Sequence, residues 1–405
     1  MPTPVYISGW EHGVLDTGGG AMLVADWSNA SISSSIFRTG TRSLRLNPSA
    51  AVAYWEKAAL GGTTTVIVTR FYVYFSVLPN ADTFIFNDDT AFTQAGIAFD
   101  QSEAKFATML DGALAAAGGP TITTGTWYRL DLRIASSGGT TSAEAEVDGM
   151  TLATSSGSFT DGTFNAYKIG PNSQTRTMDM HADDFIVSHT AGDYPIGEGL
   201  VLALSPNAVG THNLEASPSS AFLTDIGGSE SGIAISDTTS WQQIDDVPLS
   251  ADDDHIVLEN DASLTAAHYA EWLYADSTET GEIQGVQAIV VIRQDAAANC
   301  DITAKLRESG SEANIYTGDI NGTGRDYRVT CFATKPSGGA WTDAALDDAR
   351  LRFGYTTDAD GRIRLDSSML EVAYGVSVVP PGRRYKRLYG PATLPTSPTT
   401  LYTVP

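Results

Sequence analysis

Three carboxyl side chains, those of Glu144, Glu146 and Asp148, alternate along one short run of the sequence. Because successive residues of a β-strand point to opposite faces, these three would line a single face. Two carboxyl groups about 5 Å apart can cleave a sugar bond between them, one as acid and the other as nucleophile. The run ends at once in Asp148-Gly149, a hairpin-turn signal, so we expect the acids at a sheet edge rather than in a cleft. We therefore favour a solvated strand face over a catalytic site.

Other motifs of known chemistry are missing or incomplete. The six histidines lack metal-site spacing, and neither a G-x-S-x-G elbow nor a phosphate-binding loop occurs. Two acid-rich runs, Asn87-Asp88-Asp89 and Asp252-Asp253-Asp254, supply the oxygen ligands that Ca²⁺ uses, but neither has an EF-hand layout. The sequence therefore predicts no cofactor and no metal site, with a structural calcium ion left open as the alternative.

Aromatic side chains offer another route to function, because sugar-binding sites are commonly lined by them. Trp10, Tyr54 and Trp55 are the candidate glycan-binding residues in the first half of the chain. A tryptophan in a β-sandwich is more often a core residue than an exposed platform. Both interpretations stay open at this point, since the sequence does not show which rings are exposed.

The three acids belong to a predicted hairpin that runs from Gly125 to Gly149. Its apolar face consists of Tyr128, Leu130, Leu132, Ile134, Ala143, Ala145 and Val147. Its polar face consists of Arg129, Asp131, Arg133 and the three acids. This alternation is typical of antiparallel strands with one face buried and the other in solvent. A second sheet must therefore cover the apolar face.

The composition predicts an all-β protein of two or three domains. The 405 residues are 42% hydrophobic and include 39 glycines, without long helical periodicity. The 24 basic and 48 acidic residues give a net charge of −24, which argues against binding to nucleic acid or anionic lipid. No apolar run reaches the roughly 18 residues that a membrane span needs.

The cysteine content and the N-terminal residues indicate the cellular compartment in which the protein is made. Cys300 and Cys331 are the only cysteines. We favour two small buried apolar residues, with a disulfide left open. The N-terminal residues lack the basic and apolar segments of a secretory signal. A cysteine-poor, acidic chain of this kind is expected to assemble in the bacterial cytoplasm.

We predict two consecutive antiparallel β-sandwich domains of the jelly-roll type, followed by an extended C-terminal arm. The first domain spans residues 1–203, the second 204–382 and the arm 383–405. A short acidic helix or turn is expected at 343–349, just before the closing strands of the second domain. The boundary follows a Pro- and Gly-containing stretch at 195–199.

The arm combines a basic cluster with an extended tail. Its predicted assembly residues are Arg383, Arg384, Lys386, Arg387, Leu401, Tyr402 and Val404. Four prolines in residues 388–405 favour an extended chain, and the last run alternates like an added strand. We predict that the arm docks on an acidic neighbour, such as another copy of the chain. A solvated linker is the alternative.

The order of motifs in the first half resembles the concanavalin A-like, laminin-G-like jelly roll. The motifs are G-T-R-S-L-R-L at 40–46, W-Y-R-L-D-L-R-I at 127–134, V-D-G at 147–149, K-I-G at 168–170 and A-D-D-F-I-V at 182–187. The resemblance implies that the first of these strands lies beside the last, and that the W-Y strand pairs with the V-D-G strand. It also implies two curved sheets packed face to face.

The second half resembles structural proteins of tailed bacteriophages. The pattern is W-Q-Q-I-D-D-V-P-L-S-A-D-D-D-H-I-V at 241–257, G-V-Q-A-I-V-V-I-R at 285–293, A-W-T-D-A-A-L-D at 340–347 and L-R-F-G-Y at 351–355. The resemblance implies a non-enzymatic minor tail, fibre or head-surface protein located in the virion. Its expected partners are other virion proteins and copies of itself, with host-surface polysaccharide as an open further partner. A secreted bacterial carbohydrate-binding adhesin and a glycan-cleaving enzyme are the alternatives.

Overall fold

The computed structural model describes seventeen stretches of the chain. They are residues 2–13, 15, 24–58, 63–88, 95–158, 163–164, 166–171, 173–209, 222–225, 233–234, 256–260, 269–277, 279, 281–294, 300–320, 326–355 and 361–375. Their regular secondary structure is almost entirely β-strand, which confirms the predicted all-β class. The predicted acidic turn is present as helix α1 (Asp343–Asp347), where the Thr342 side chain accepts a hydrogen bond from Ala345 N.

The strands of the first half run in chain order as follows: β1 (Pro4–Ser8), β2 (Val24–Ser28), β3 (Ala30–Ser33), β4 (Ser43–Leu46), β5 (Tyr54–Ala58), β6 (Val66–Val77), β7 (Thr83–Asp88), β8 (Ala95–Asp100), β9 (Lys105–Leu110), β10 (Ala113–Leu114), β11 (Trp127–Ser137), β12 (Thr140–Val147), β13 (Met150–Thr151), β14 (Ser155–Ser158), β15 (Ala166–Ile169) and β16 (Asp179–Ser188). They form two antiparallel sheets. Sheet A has the order β13-β12-β11-β6-β16-β4-β3, with β1 on β16 and β14 on β12. Sheet B has the order β10-β9-β8-β7-β15-β5-β2.

The strands of the second half are β17 (Gly199–Leu204), β18 (Pro206–Val209), β19 (Phe222–Asp225), β20 (Ile233–Ala234), β21 (Ile256–Asn260), β22 (Tyr269–Tyr274), β23 (Glu282–Gln294), β24 (Cys300–Glu308), β25 (Ser311–Ile320), β26 (Asp326–Phe332), β27 (Arg350–Tyr355) and β28 (Gly361–Gly375). Sheet C has the order β20-β19-β21-β28-β23-β26, with β17 on β28. Sheet D has the order β18-β22-β27-β24-β25. Sheets A and B enclose one hydrophobic core, and sheets C and D enclose another.

The strand pairings implied by the jelly-roll resemblance are present in sheet A. Leu44 of β4 stands opposite Ala182 of β16, and Leu130 of β11 stands opposite Val147 of β12. The predicted hairpin turn is also present, since Asp148 and Gly149 have φ values of 50° and 81°. Two consecutive left-handed residues match the right-handed twist of the flanking strands, which fixes their register.

The polar face of the central hairpin is not fully in solvent, and here the prediction was wrong. Asp131 is completely buried and Arg129 is 8% exposed. The cause is the chain that leaves the first sandwich. Gly197 N donates to Asp131 Oδ1 at 2.9 Å, and Val201 N donates to Asp184 Oδ1 at 2.6 Å. These contacts fix the connection to the second sandwich across the outer face of sheet A.

The two sandwiches are joined through β1, which packs on the outer face of sheet C. Gln287 brackets the backbone of Ile7: its Oε1 accepts from Ile7 N at 3.1 Å, and its Nε2 donates to Ile7 O. Gly9 N donates to Glu371 Oε1 at 3.0 Å. An apolar cluster from both halves completes the joint, namely Ile7, Val68, Ile186, Ile196, Val201 and Ala373.

Strand membership is consistent with a division of the chain near residue 200. Sheets A and B contain strands up to Ser188, and sheets C and D contain strands from Gly199 onward. The limits 203 and 204 remain predictions. The arm at 383–405 lies outside the described residues. Cys331 in β26 is a free thiol, so the disulfide alternative is not realised.

Candidate functional site

A row of side chains crosses sheet B on the face that points away from the core. Residues in register on successive strands are Glu56 of β5, Lys168 of β15, Asn87 of β7, Gly96 of β8 and Met109 of β9. Their chain neighbours include Trp55, Tyr167 and Phe86, which face the core between the sheets. Alternation along each strand therefore places the row on the outer face.

An ion pair forms the polar end of the row. Lys168 Nζ lies 3.0 Å from Glu56 Oε2, and the two side chains are only 12% and 11% exposed. The same ammonium lies 5.1 Å from the centroid of the Tyr54 ring, within cation–π range. The pair holds a carboxylate, an ammonium and an aromatic ring in one place with little exposure to water.

The side-chain amide of Asn87 is the chemically unusual feature of the row. Asn87 is completely buried, and neither its Oδ1 nor its Nδ2 has a hydrogen-bond partner. An unsatisfied buried polar group costs about 1–3 kcal/mol, and native proteins rarely keep one. A ligand with both donor and acceptor groups, such as a pair of sugar hydroxyls, would satisfy this amide.

The other end of the row is apolar. Phe84, Ala98 and Met109 form a small cluster on this face, with Leu114 packed against it. Gly96 lies between this cluster and Asn87, where a Cβ atom would collide with the Phe86 carbonyl oxygen. The row thus combines hydrogen-bonding groups at one end with CH groups at the other, a mixture that small-molecule sites commonly have. The segments 59–62 and 89–94, which flank the row in sequence, lie outside the described residues.

The three aromatic residues proposed from sequence divide between the core and the outer face. Trp10 is 0% and Trp55 is 1% exposed, and the two indoles contact each other at a centroid distance of 5.9 Å. Both rings lie in the core between sheets A and B and not on an outer face, so these two assignments are corrected to core residues. Tyr54 is half-buried and stands beside the row described above.

The alternating acids of β12 are engaged in structural contacts. Glu144 Oε1 lies 2.6 Å from Arg133 Nη2, and Asp148 Oδ1 accepts a hydrogen bond from Arg129 N at 2.9 Å. The strand ends in the turn that follows Val147, as expected. These contacts fit a role in hairpin stability. The prediction that this strand is not catalytic remains a prediction.

One arrangement in the described residues has the order of a hydrolytic triad. Ser43 Oγ lies 3.3 Å from His181 Nδ1, and His181 Nε2 lies 3.6 Å from Asp179 Oδ1. Ser43 is completely buried, and its hydroxyl donates to the Ile36 carbonyl at 2.5 Å. Burial lowers the pKa of His181 to about 4. Because the Ser43 hydroxyl donates its hydrogen to a backbone carbonyl and not to His181, the arrangement does not activate a nucleophile and is a structural contact.

The described residues contain neither a cluster of metal ligands nor a membrane-spanning helix. Within the described ranges, no group of three or more His, Cys, Asp or Glu side chains is placed to hold a metal ion. Asn87 and Asp88 are consecutive strand residues with side chains on opposite faces, and Asp89 and Asp252–Asp254 lie outside the described residues. The calcium alternative is thus still a prediction. The helix found in the described part of the chain is too short to cross a bilayer.

Comparisons with known proteins give weak likenesses. A scan against models of protein families finds no match, and a search of curated proteins finds none either. Among solved structures, the chain is similar to a sialidase from Trypanosoma rangeli (14% identity, TM-score 0.29, 40% of this chain and 27% of that one). It is also similar to domain 4 of AbnA, a GH43 extracellular arabinanase from Geobacillus stearothermophilus (13% identity, TM-score 0.30, 45% of this chain and 80% of that one).

A third solved structure with a likeness is the carbohydrate-binding module CBM66 from Bacillus subtilis (9% identity, TM-score 0.27, 40% of this chain and 97% of that one). The chain spans about a quarter of the length of the sialidase that it matches. At these identities and TM-scores the likenesses carry no argument about function. The case for a function therefore depends on the chain's own residues.

Proposed function

We propose that the protein is a non-enzymatic, glycan-binding structural component of a tailed-phage virion, and that the row on the outer face of sheet B is its sugar site. The observation that supports the sugar site is the buried, unpartnered amide of Asn87. The virion setting depends on the sequence resemblance of the second half. Host-surface polysaccharide is the proposed ligand.

Each part of the row has a defined role in this proposal. The Asn87 amide donates to one sugar hydroxyl and accepts from a neighbouring one. Lys168 and Glu56 supply a further donor and acceptor, already oriented by their 3.0 Å ion pair. Tyr54 and the Phe84 cluster contact the CH groups of the ring. Because the row is nearly buried, its hydrogen bonds would act in a medium of low polarity, where they are strong.

Binding is favoured over hydrolysis by the pairing of Glu56. Glycosidic cleavage needs two carboxyl groups, one of them protonated at the start of the reaction. The Glu56 carboxyl is engaged in a 3.0 Å ion pair with Lys168, an arrangement that suits a hydrogen-bond acceptor better than a general acid. Asp26 stands opposite Glu56 in the backbone register of β2 and is the position to test for the second carboxyl.

A polysaccharide panel tests the proposal. The full chain is incubated with neutral bacterial surface polysaccharides and oligosaccharides on an array, and reducing ends are measured in parallel. We expect binding without release of reducing ends. If the chain releases reducing ends and Glu56→Gln abolishes this release, the protein is an enzyme and the binding proposal is wrong. If the chain binds none of the neutral glycans, the sugar site is contradicted.

Substitution of Asn87 by leucine is expected to raise the stability of the free protein and to abolish glycan binding. Leucine has nearly the shape of asparagine and removes two unsatisfied polar groups, so the free energy of unfolding should increase by about 1–3 kcal/mol. Urea unfolding followed by circular dichroism measures the change. Gln287→Met is the matched control, because that amide is buried but hydrogen-bonded, and it should lose stability. A loss of stability in Asn87→Leu would show that the amide is already satisfied.

A further inference from the structure

We infer that the outer face of sheet D carries a second binding site, for an acidic sugar, between the Tyr269 ring and the Thr303 hydroxyl. The site lies in the other sandwich from the row on sheet B. Its ligand class is set by a cluster of four cations, whereas the row on sheet B contains the single cation Lys168. The inference is independent of the proposed function.

Two adjacent cross-strand rows form the site. Tyr269 of β22, Gly354 of β27, Thr303 of β24 and Thr317 of β25 stand in register in the first row. Glu271, Arg352, Lys305 and Asn314 stand in register in the second. Their chain neighbours Ala270, Trp272, Ile302, Ala304 and Phe353 belong to the core between sheets C and D. Both rows therefore point away from that core.

Gly354 is buried and contributes no side chain, so it interrupts the first row between two side chains. On one side of it stands the half-buried Tyr269, and on the other stands Thr303. Neighbouring strands lie about 4.8 Å apart, so the ring and the hydroxyl are separated by roughly twice that distance across the glycine. A single sugar ring fits between two such groups, with its CH face toward the aromatic ring.

The Thr303 hydroxyl indicates a ligand with hydrogen-bonding groups. Thr303 is 9% exposed, and its Oγ1 has no hydrogen-bond partner. A buried hydroxyl without a partner is costly, for the same reason as the Asn87 amide. A hydroxyl or ring oxygen of a ligand between Tyr269 and Thr303 would satisfy it.

Arg352 and Lys305 give the site its charge preference. Arg352 packs over the Tyr269 ring at 3.8 Å, and Lys305 is its neighbour on β24. In the next row Arg350 and Arg307 are likewise paired in register. The four cations are between 16% and 30% exposed, so each reaches solvent in part.

A fully buried glutamate contacts the three arginines among these cations. Glu271 is 0% exposed, and Arg307 Nη1 lies 2.7 Å and 2.9 Å from its two oxygens. Arg352 Nε donates to Glu271 Oε1 at 2.7 Å. At the sheet edge Glu312 contacts Lys305 at 2.8 Å and also contacts Arg352. Because Glu271 is buried and Glu312 is at the rim, an incoming carboxylate can replace Glu312 on Lys305 and Arg352 without disturbing the base of the site.

The combination of groups selects an acidic sugar over other anions. The aromatic ring, the interruption of the row at Gly354 and the hydroxyls of Thr303 and Thr317 match a sugar ring with one carboxylate. An acidic protein surface would use the cations alone and leave the Thr303 hydroxyl without a partner.

Polygalacturonate is the probe for this site, with neutral galactan as its control. We expect the full chain to bind polygalacturonate with an affinity that falls as salt increases, and to bind it in preference to galactan. Thr303→Val keeps the shape of the side chain and should weaken binding about fivefold. Lys305→Gln should weaken it about tenfold and reduce the salt dependence. Lys335→Gln, a cation with similar exposure that pairs with Glu308 elsewhere, should bind as the unaltered chain does.

The outcomes separate this site from the sugar site of sheet B. Asn87→Leu should leave polygalacturonate binding unchanged, whereas Thr303→Val should leave neutral-glycan binding unchanged. Equal polygalacturonate affinity in the unaltered chain, Thr303→Val and Lys305→Gln would overturn the inference. A fall in the mass of the particle in solution for these variants, without any polysaccharide binding, would also overturn it and show that the face binds another copy of the chain.

Discussion

Replacement of Glu371 by glutamine is expected to remove most of a fall in stability that the unaltered chain shows between pH 6.5 and pH 8. Glu371 is completely buried where β1 of the first sandwich meets sheet C. Burial, together with the nearby Glu11 carboxylate, raises the pKa of this carboxyl to about 8. Hydrogen bonds from Gly9 N and Gln287 Nε2 lower it only in part.

The direction in which stability changes with pH follows from proton binding by Glu371. In the unfolded chain Glu371 ionises near 4.5, and in the folded chain near 8, so folding takes up a proton between these values. The free energy of unfolding is therefore highest below pH 4.5 with respect to this group, and it falls as the pH rises toward 8. Over pH 6.5 to 8 the fall is about 1.6 kcal/mol, because the slope of 1.36 kcal/mol for each pH unit decreases as the folded carboxyl begins to ionise near pH 8. Glutamine has no proton to lose, so its stability should stay nearly level.

The pKa shifts of other groups do not obscure the effect of Glu371 on stability between pH 6.5 and pH 8. Burial lowers the pKa of His181 to about 4 and that of Lys57 to about 8, so their effects fall below pH 6.5 and above pH 8. Burial raises the pKa of Asp183 as well, and its share of the slope persists in the variant. Urea unfolding at several pH values measures the slope, with Glu103→Gln, a largely exposed carboxylate, as control. An unchanged slope in Glu371→Gln would contradict the buried joint between the sandwiches.

Replacement of Trp55 by alanine is expected to cost about 3–5 kcal/mol of the free energy of unfolding, the range for large aromatic residues removed from a core. The Trp55 ring contacts Tyr6, Trp10, Tyr167 and Phe185 at centroid distances of 6.0, 5.9, 6.4 and 6.0 Å. Its removal leaves a cavity at the centre of this aromatic cluster. Such a cavity cannot collapse without moving several rings at once.

Two matched variants separate the core role from a ligand role. Trp127→Ala removes a half-buried indole that contacts Tyr74 at 5.4 Å, and it should cost clearly less than Trp55→Ala. Tyr54→Ala should change stability little and weaken neutral-glycan binding, because that ring lies beside Lys168 on the outer face. A loss below about 1 kcal/mol in Trp55→Ala would show that this ring is not a core residue.

Local patterns predicted the central hairpin well, because its strands alternate regularly and end in short turns. Alternation in residues 128–134 and 143–147 identified the buried face, and Asp148-Gly149 identified the turn that ends β12. The same patterns failed at Arg129 and Asp131, which are covered by a segment more than sixty residues further along the chain. Alternation within a strand predicts which residues share a face. It does not predict which distant segment of the same chain covers that face.

Strand β25 was missed for a different reason. Its sequence, S-E-A-N-I-Y-T-G-D-I, has few β-branched residues and includes a bulge opposite Ala304 and Lys305. An edge strand pairs on one side only, so it needs less of the apolar character by which interior strands are recognised. The preceding left-handed residues, Ser309 and Gly310, were the available signal for a hairpin.

The candidate site could be predicted from the sequence only in part. Tyr54, Trp55 and Glu56 are consecutive strand residues, so placing Trp55 in the core already places Tyr54 and Glu56 together on the outer face. Lys168 and Asn87 join them only through the register of β15 with β5 and β7, which no local pattern fixes. The sequence marked Asn87 only as part of an acid-rich run that could bind calcium. In the structure Asn87 points to the outer face of sheet B, and the neighbouring Asp88 points to the opposite face.

The affinity of one neutral oligosaccharide for the unaltered chain and for Asn87→Leu tests the central claim most directly. Isothermal titration calorimetry is performed with the strongest neutral ligand from the polysaccharide panel, and Asn80→Leu, an exposed asparagine elsewhere on the sandwich, serves as control. We expect the affinity of Asn87→Leu to fall by at least about tenfold, equivalent to about 1.4 kcal/mol, with no change in the control. Equal affinity in all three proteins would contradict a sugar site on the outer face of sheet B.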